Sequence, residues 1–375
     1  MSKWCALSSV RTVLCVGCTE VDYVATLDKW DTDTEAFRLR AGSFHRSGRS
    51  SNVATVLRLM GANVDFFGVL SRLPTYRMVL DDLEKAGIGI DNCHFTDEPP
   101  PFSIIIQESI SKRVTISYCD KPFSYVNAKD FEKVDLDQYG WVNFEGRHPQ
   151  DTCDMINLVR RYNNGRDKRN RIKISLQIYK DFKDMADLML MCDYVLVTKY
   201  VCEQEGWTSP RESCERLNER LRIPRSIDVR RPNFVLPWSS LGAGCMNTDG
   251  EYFELPAIKP KRILDRVGDS DCFTAAFIYA TFIRQRHLAA AVEFANGVAS
   301  FKLAHSGFRC ISQLDPDSLR RPVVMQGVDA SSEEEDNTGG EQQRMCRKYL
   351  FRPSVFVGRA DASSSTSVFE KNQFI

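Results

Sequence analysis

Short apolar runs alternate with amphipathic stretches along this chain, and the alternation predicts its elements. Val13–Gly17 is an apolar run closed by glycine, the mark of a buried strand ending in a turn, with Asp22 just beyond. Ser47-Gly48-Arg49-Ser50-Ser51-Asn52 is a turn cluster leading into Val53–Met60, an amphipathic helix that Gly61 stops. Val64–Val69 predicts a second buried strand, and Met78–Ala86 a second helix ended by Gly87. Strand and helix in alternation predict an α/β domain with a largely parallel sheet.

A different period then intervenes. Phe102–Gln107 and Arg113–Tyr118 are β-rich runs joined by polar residues, which predicts a hairpin; with Tyr23–Leu27 and Phe37–Leu39 they form a small separate sheet. The alternation resumes with strands at Trp141–Phe144, Ile172–Ile178, Tyr194–Val197 and Asn233–Leu236. Cys272–Ile283 is apolar throughout but too short to cross a bilayer, so it predicts a buried helix.

Composition narrows the function classes. Lys+Arg 50 against Asp+Glu 50 leaves no net charge, which argues against nucleic acid or a membrane surface as partner. The Arg160–Arg171 charge run lacks interleaved aromatics and reads as a solvated loop. Thirteen scattered cysteines imply reduced thiols, and the N-terminus lacks the layout of a signal peptide, so a cytoplasmic protein is expected. The lone Cys15-Val16-Gly17-Cys18 overlaps a strand and the five histidines show no ligand spacing, so no metal site is expected. Residues 1–318 read as one domain, and 319–375 as a low-complexity, disordered tail containing Ser331–Asp336 and Ala362–Thr366.

The chemistry concentrates at Gly268-Asp269-Ser270-Asp271, a small-residue turn opening the late helix. Such a turn presents backbone N–H groups and the positive end of a helix dipole, an anion cradle. An aspartate closing it can take a proton from a hydroxyl that attacks a bound phosphate. Asp22 beyond the first strand, Asn52 on the first turn cluster and Glu145-Gly146-Arg147 after the strand Trp141–Phe144 supply hydrogen-bonding groups suited to a polyol.

On these stretches the chain resembles the ribokinase/phosphofructokinase-B carbohydrate kinases, and within them the ketohexokinase (hepatic fructokinase) branch. The matching residues are Leu14–Gly17 with Asp22, Ala54–Leu57 with Leu59, Val79–Leu83, Phe131–Leu136, Glu145–Arg147, Val197–Lys199, Trp238 with Gly242-Ala243, and Asp265 with Gly268 and Asp271. The resemblance implies a doubly wound, mainly parallel sheet flanked by helices, with a β-sheet lid from about 23–45 and 100–125 and a homodimer formed through that lid. It further implies ATP-dependent phosphorylation of fructose at its 1-hydroxyl, with Mg²⁺ and a stimulating K⁺. Asp271 falls on the catalytic base, and Gly268 and Ser270 on the anion hole. Asp22, Gly48, Asn52, Arg113, Glu145 and Arg147 fall on the substrate side, and Lys199, Gly242, Ala243, Asn296 and Ala299 on the nucleotide side.

Five residues depart from the family pattern: Ser47, Arg49, Ser240, Asp269 and Ser270. Asp269 and Ser270 stand where the family turn has Ala-Gly. A carboxylate about 4 Å from a phosphate costs roughly 1–4 kcal/mol, whereas one turned to solvent merely favours the helix N-terminus. Arg49 replaces a sugar-side glycine; it either crowds the acceptor or swings toward the phosphates as a cation. These departures keep a second reading open, a non-catalytic protein that binds sugar or nucleotide in a regulatory role.

Overall fold

The computed structural model describes residues 11–30, 36, 38–111, 114–119, 123–221 and 231–319. These lie within a unit spanning Met1–Arg320. In chain order the strands are β1 (Thr12–Val16), β2 (Glu20–Leu27), β3 (Ala41–Ser47), β4 (Val64–Phe67), β5 (Val69–Ser71), β6 (His94–Thr96) and β7 (Phe102–Glu108). There follow β8 (Val114–Tyr118), β9 (Tyr139–Glu145), β10 (Lys173–Ile178), β11 (Tyr194–Val197), β12 (Asn233–Pro237), β13 (Ala243–Met246) and β14 (Tyr252–Leu255). The α-helices are α1 (Arg49–Leu59), α2 (Arg77–Ala86), α3 (Ala128–Phe131), α4 (Pro149–Asn163), α5 (Phe182–Met185), α6 (Lys199–Gln204), α7 (Pro210–Arg220), α8 (Asp269–Ile278) and α9 (Leu288–Leu303).

Eight strands form the main sheet in the order β14-β13-β12-β11-β10-β9-β1-β4. It is parallel from β12 to β4, and β13 and β14 close one edge antiparallel. Alternation along β1 explains the layering: Val13 and Cys15 enter one core, Leu14 and Val16 the other. The first core is completed by α1, α2, α8 and α9, through residues such as Val56, Leu80, Phe273 and Val292. The second takes Ile156 and Val159 from α4 and Leu217 from α7. The sheet is therefore doubly wound. Strand order reverses at β1, between β4 and β9, so a crevice is expected beyond the carboxyl ends of these strands. Helix α8 is buried all round from Asp271 to Ile278, as an apolar helix between layers must be.

The smaller, separate sheet expected from the sequence is β3-β2-β7-β8. Its hairpin β7–β8 pairs antiparallel, and β2 pairs parallel with β7. One face carries exposed apolar side chains, Phe44 at 57% and Ile104 at 39%, while Tyr118, opposite Ser103, lies on the other face.

Four predicted boundaries move. The third lid strand is Ala41–Ser47, while Arg38 and Leu39 lie outside any strand and Phe37 is outside the described residues. Register with β2, Tyr23 opposite Phe44, selects this segment. The second buried strand breaks at Gly68 into β4, in the main sheet, and β5, which pairs instead with β6. Helix α1 begins at Arg49, four residues before the predicted start, so Arg49 and Asn52 belong to its first turn. At the charge run, α4 continues to Asn163 before the loop begins. Two strands at the sheet edge, β13 and β14, are too short to register as a pattern. Arg113 and the tail from 320 onward lie outside the described residues.

Candidate active site

Gly268 caps α8 in the left-handed region, φ 76°, and a Cβ there would run into the Phe308 ring. Only glycine turns the chain so tightly at this point without strain. The turn puts Asp271 in the first helical turn, 4% exposed. Its Oδ2 accepts a hydrogen bond from Asn52 Nδ2 at 2.8 Å. Its Oδ1 is buried with no hydrogen-bond donor among the described residues, and Arg49 Nη1 stands 3.7 Å away. Burial pushes the Asp271 carboxyl up from the ordinary range, while Arg49 and the Asn52 bond pull it back. A carboxylate held by one oxygen and open at the other can accept a proton.

The opposing wall is the start of α1. Gly48 caps it with φ 102°, and a Cβ would press on the backbone carbonyl of Cys18. This compression brings Arg49 and Asn52 onto the helix, both facing α8. Arg49 Nη1 lies 3.4 Å from Ser270 Oγ, with its guanidinium 4.2 Å from the Tyr179 ring centre. Of the two placements open from sequence, Arg49 thus takes the one toward the cradle.

Glu145, at the end of β9, is fully buried and works as an internal anchor. Its Oε2 accepts from the Cys18 and Ser50 amides, at 3.0 and 3.4 Å. Its Oε1 accepts from Arg147 Nε at 2.6 Å and Tyr179 OH at 3.0 Å. Burial would raise this carboxyl, but Arg147 and these bonds hold it below the usual range. Arg147 also pairs with Glu20 Oε1 at 2.9 Å. Burial pushes Glu20 up to about 7 against the pull of Arg147. The group fastens the β1 turn, the α1 N-terminus and β2 together. On the lid side, Asp22 is buried, and its Oδ1 accepts from Ser103 Oγ at 2.6 Å.

Of the residues expected on the nucleotide side, Gly242, Ala243, Asn296 and Ala299 lie toward the antiparallel edge of the sheet. Gly242 and Ala243 lead into β13, where Ala243 pairs with Leu255. Asn296 of α9 reaches the Leu255 carbonyl at 3.4 Å. Ala299 lies one turn further along α9, and Ser240 is exposed on the preceding turn. Lys199 opens α6 and pairs with Glu203 at 3.3 Å.

Asp269 turns into the cradle rather than to solvent. Its Oδ1 accepts the Ser270 amide at 2.7 Å, so a first-turn donor of the cradle is occupied by the chain itself. Burial raises its carboxyl to about 6, opposed chiefly by the positive charge of Lys302. Lys302, Tyr179 and Glu20 are the neighbours that sequence reading missed. Lys302 left a trace, a lone cation in the otherwise apolar end of α9; Tyr179 left none. No group of three or more His, Cys, Asp or Glu among the described residues could hold a metal. The narrow crevice lined by Gly17, Thr19, Ser71, Glu98 and Tyr125 admits about 20 Å³, room for a water but not a sugar.

Comparison with known proteins agrees with this architecture. The model of the pfkB family carbohydrate kinases matches residues 10–313, and the chain belongs to that family. Mouse ketohexokinase is 27% identical over 300 residues, covering 80% of this chain and 98% of the mouse protein. A putative ribokinase from Agrobacterium tumefaciens superposes with a TM-score of 0.68 at 15% identity, over 83% of this chain and 96% of its own. Arabidopsis thaliana ribokinase, solved with ribose and ATP, gives 0.63 at 16% identity, over 83% and 97%. The fold is ribokinase-like.

Proposed function

We propose that this protein is an ATP-dependent carbohydrate kinase in which Asp271 is the general base. The observation that carries the reading is the Asp271 carboxylate, buried at the α8 N-terminus with Oδ2 held by Asn52 and Oδ1 free of hydrogen bonds. Oδ1 takes the proton of the acceptor hydroxyl as its oxygen bonds to the γ-phosphorus and the bond to the ADP oxygen breaks. Arg49 and the α8 N-terminus lie where they would offset the charge on the transferred group. Asp22 and Asn52 hold the acceptor's hydroxyls, with Gly48 shaping the turn beneath, and Glu145 and Arg147 keep that wall in place. Arg113 is assigned to the substrate side by resemblance. Gly242, Ala243, Asn296, Ala299 and Lys199 border the nucleotide. Mg²⁺, carried in on the nucleotide phosphates, supplies further charge neutralisation.

Fructose is the acceptor we assign, giving fructose 1-phosphate; the support is the likeness to mouse ketohexokinase. The exposed apolar lid face supports a homodimer. We assign the protein to the cytoplasm: the described cysteines are free, and among the described residues no helix is long and apolar enough to cross a membrane.

One observation favours a second reading. Asp269 bonds the Ser270 amide and brings a carboxylate to the cradle, which opposes a phosphate there. On that reading the protein binds sugar or nucleotide without turnover. Coupled measurement of ADP release across fructose, ribose and other ketoses, beside calorimetry of the same ligands, separates the two. Turnover with fructose supports the first. Heat of binding with no turnover on any sugar selects the second.

A further inference from the structure

Lys302 is the least expected charge in the described molecule. It stands near the end of α9 with its side chain 0% exposed. Burying an ammonium costs several kcal/mol unless its donors are all met. Here they are. Nζ donates to the Asp265 carbonyl at 3.1 Å and to the Val267 carbonyl, and lies 3.0 Å from Asp265 Oδ2. Three oxygens meet the three N–H bonds of one ammonium.

All three oxygens belong to the segment that turns into Gly268. Asp265 is itself braced, with Oδ1 accepting from the Val267 amide at 2.9 Å and Oδ2 from the Gly307 amide at 2.9 Å. The Phe308 ring lies 5.8 Å from Nζ and also abuts Gly268. Lys302 therefore ties the cradle turn to the end of α9 and the loop after it. Two backbone carbonyls and a carboxylate are also the donor set that a dehydrated monovalent cation takes. A stimulating K⁺, implied by the family resemblance, does not fit here, because a fixed ammonium already fills the cluster.

We propose that Lys302 is a built-in monovalent cation, a positioning residue that holds the Gly268–Asp271 turn and makes this protein indifferent to K⁺. Its bearing on phosphate binding rests on the kinase reading; its bearing on the turn does not. The primary readout is accordingly the melting temperature, with ADP affinity by calorimetry as the second. Both are measured at constant ionic strength in KCl, NH₄Cl, NaCl and tetramethylammonium chloride.

The wild-type protein is expected to melt at the same temperature in all four salts, with any ADP affinity varying less than about twofold. Lys302→Ala leaves a space for a small cation. Its melting temperature should fall by about 5–10 °C, and K⁺ or NH₄⁺, not tetramethylammonium, should restore part of the loss. Selective stabilisation of the wild type by K⁺ would overturn the proposal. So would a Lys302→Ala protein that melts like the wild type, or one whose loss no cation relieves. If that variant does not fold, the wild-type salt series decides alone, and it does so whether or not any sugar is phosphorylated.

Discussion

The two walls of the candidate site are built differently. The acceptor wall, from Gly48 to Asn52 with Glu145 behind it, has its polar groups paired while leaving Asp271 Oδ1 open. The phosphate wall, from Asp265 to Ser270, is closed on itself: Asp269 takes the Ser270 amide and Lys302 fills the oxygens beneath. One wall is ready for a ligand, whereas the other already contains an internal anion and an internal cation. Family membership alone does not reveal this difference, since both walls sit on the same scaffold.

The most damaging way to break the comparison is to remove the open carboxylate. Asp271→Asn retains the shape and loses the proton acceptor. Turnover should fall by about 10²–10⁴-fold with little change in KM. Because burial raises the Asp271 carboxyl, wild-type kcat should decline as pH falls through that raised value, and the ADP-release assay reads both effects. An Asp271→Asn protein with full turnover would remove Asp271 from the mechanism.

Next comes the anchor of the acceptor wall. Glu145→Ala leaves Arg147 buried without its closest carboxylate and frees the Cys18 and Ser50 amides. A loss of about 3–5 kcal/mol in urea unfolding is expected. An exposed pair such as Arg77–Asp81, broken by Arg77→Ala, should leave the unfolding midpoint almost unchanged and serves as the control.

How much of this was legible in the sequence follows the same division. Strands β9 to β12 are buried and rich in apolar residues, and α2 is stopped by Gly87, so pattern alone located them. The β3 segment is exposed along most of its length, and only pairing with β2 makes it a strand. Asp271 and Asn52 could be named because each has its own chemistry. The Asp269 bond could not, since the turn formed by Gly268 decides where that carboxylate points. Lys302 needed the fold to show that its ammonium meets Asp265 and Val267, 37 and 35 residues away in sequence.

A smaller effect would sharpen the contrast at the phosphate wall. Asp269→Asn removes the internal anion, and ADP should bind about tenfold more tightly at pH 7. In the wild type the same gain should appear as pH falls through about 6, where the carboxylate is neutralised. Stability should move with it. The folded carboxyl titrates near 6 and the unfolded one near 3.8, so between those values the folded state holds more protons. Stability therefore declines as pH rises through this window and stays lower above it. Asp269→Asn should flatten that part of the curve. Unchanged ADP affinity in the variant would mean that Asp269 does not oppose the phosphate.

The mildest perturbation tests whether the lid belongs to the comparison at all. Phe44 and Ile104 share one exposed face with Tyr23, which packs on Phe44 with ring centres 4.8 Å apart. A contiguous apolar face of this kind is costly in water unless a second surface covers it. Phe44→Asp places a charge at its centre without touching either core, so the melting temperature of the subunit should barely change. If the wild type is the proposed homodimer, light scattering should nevertheless report a monomer for this variant. If the wild type is itself a monomer, the lid face is covered by something other than a second copy. The acceptor wall would then have to be complete within one chain, as its internal hydrogen bonds already allow.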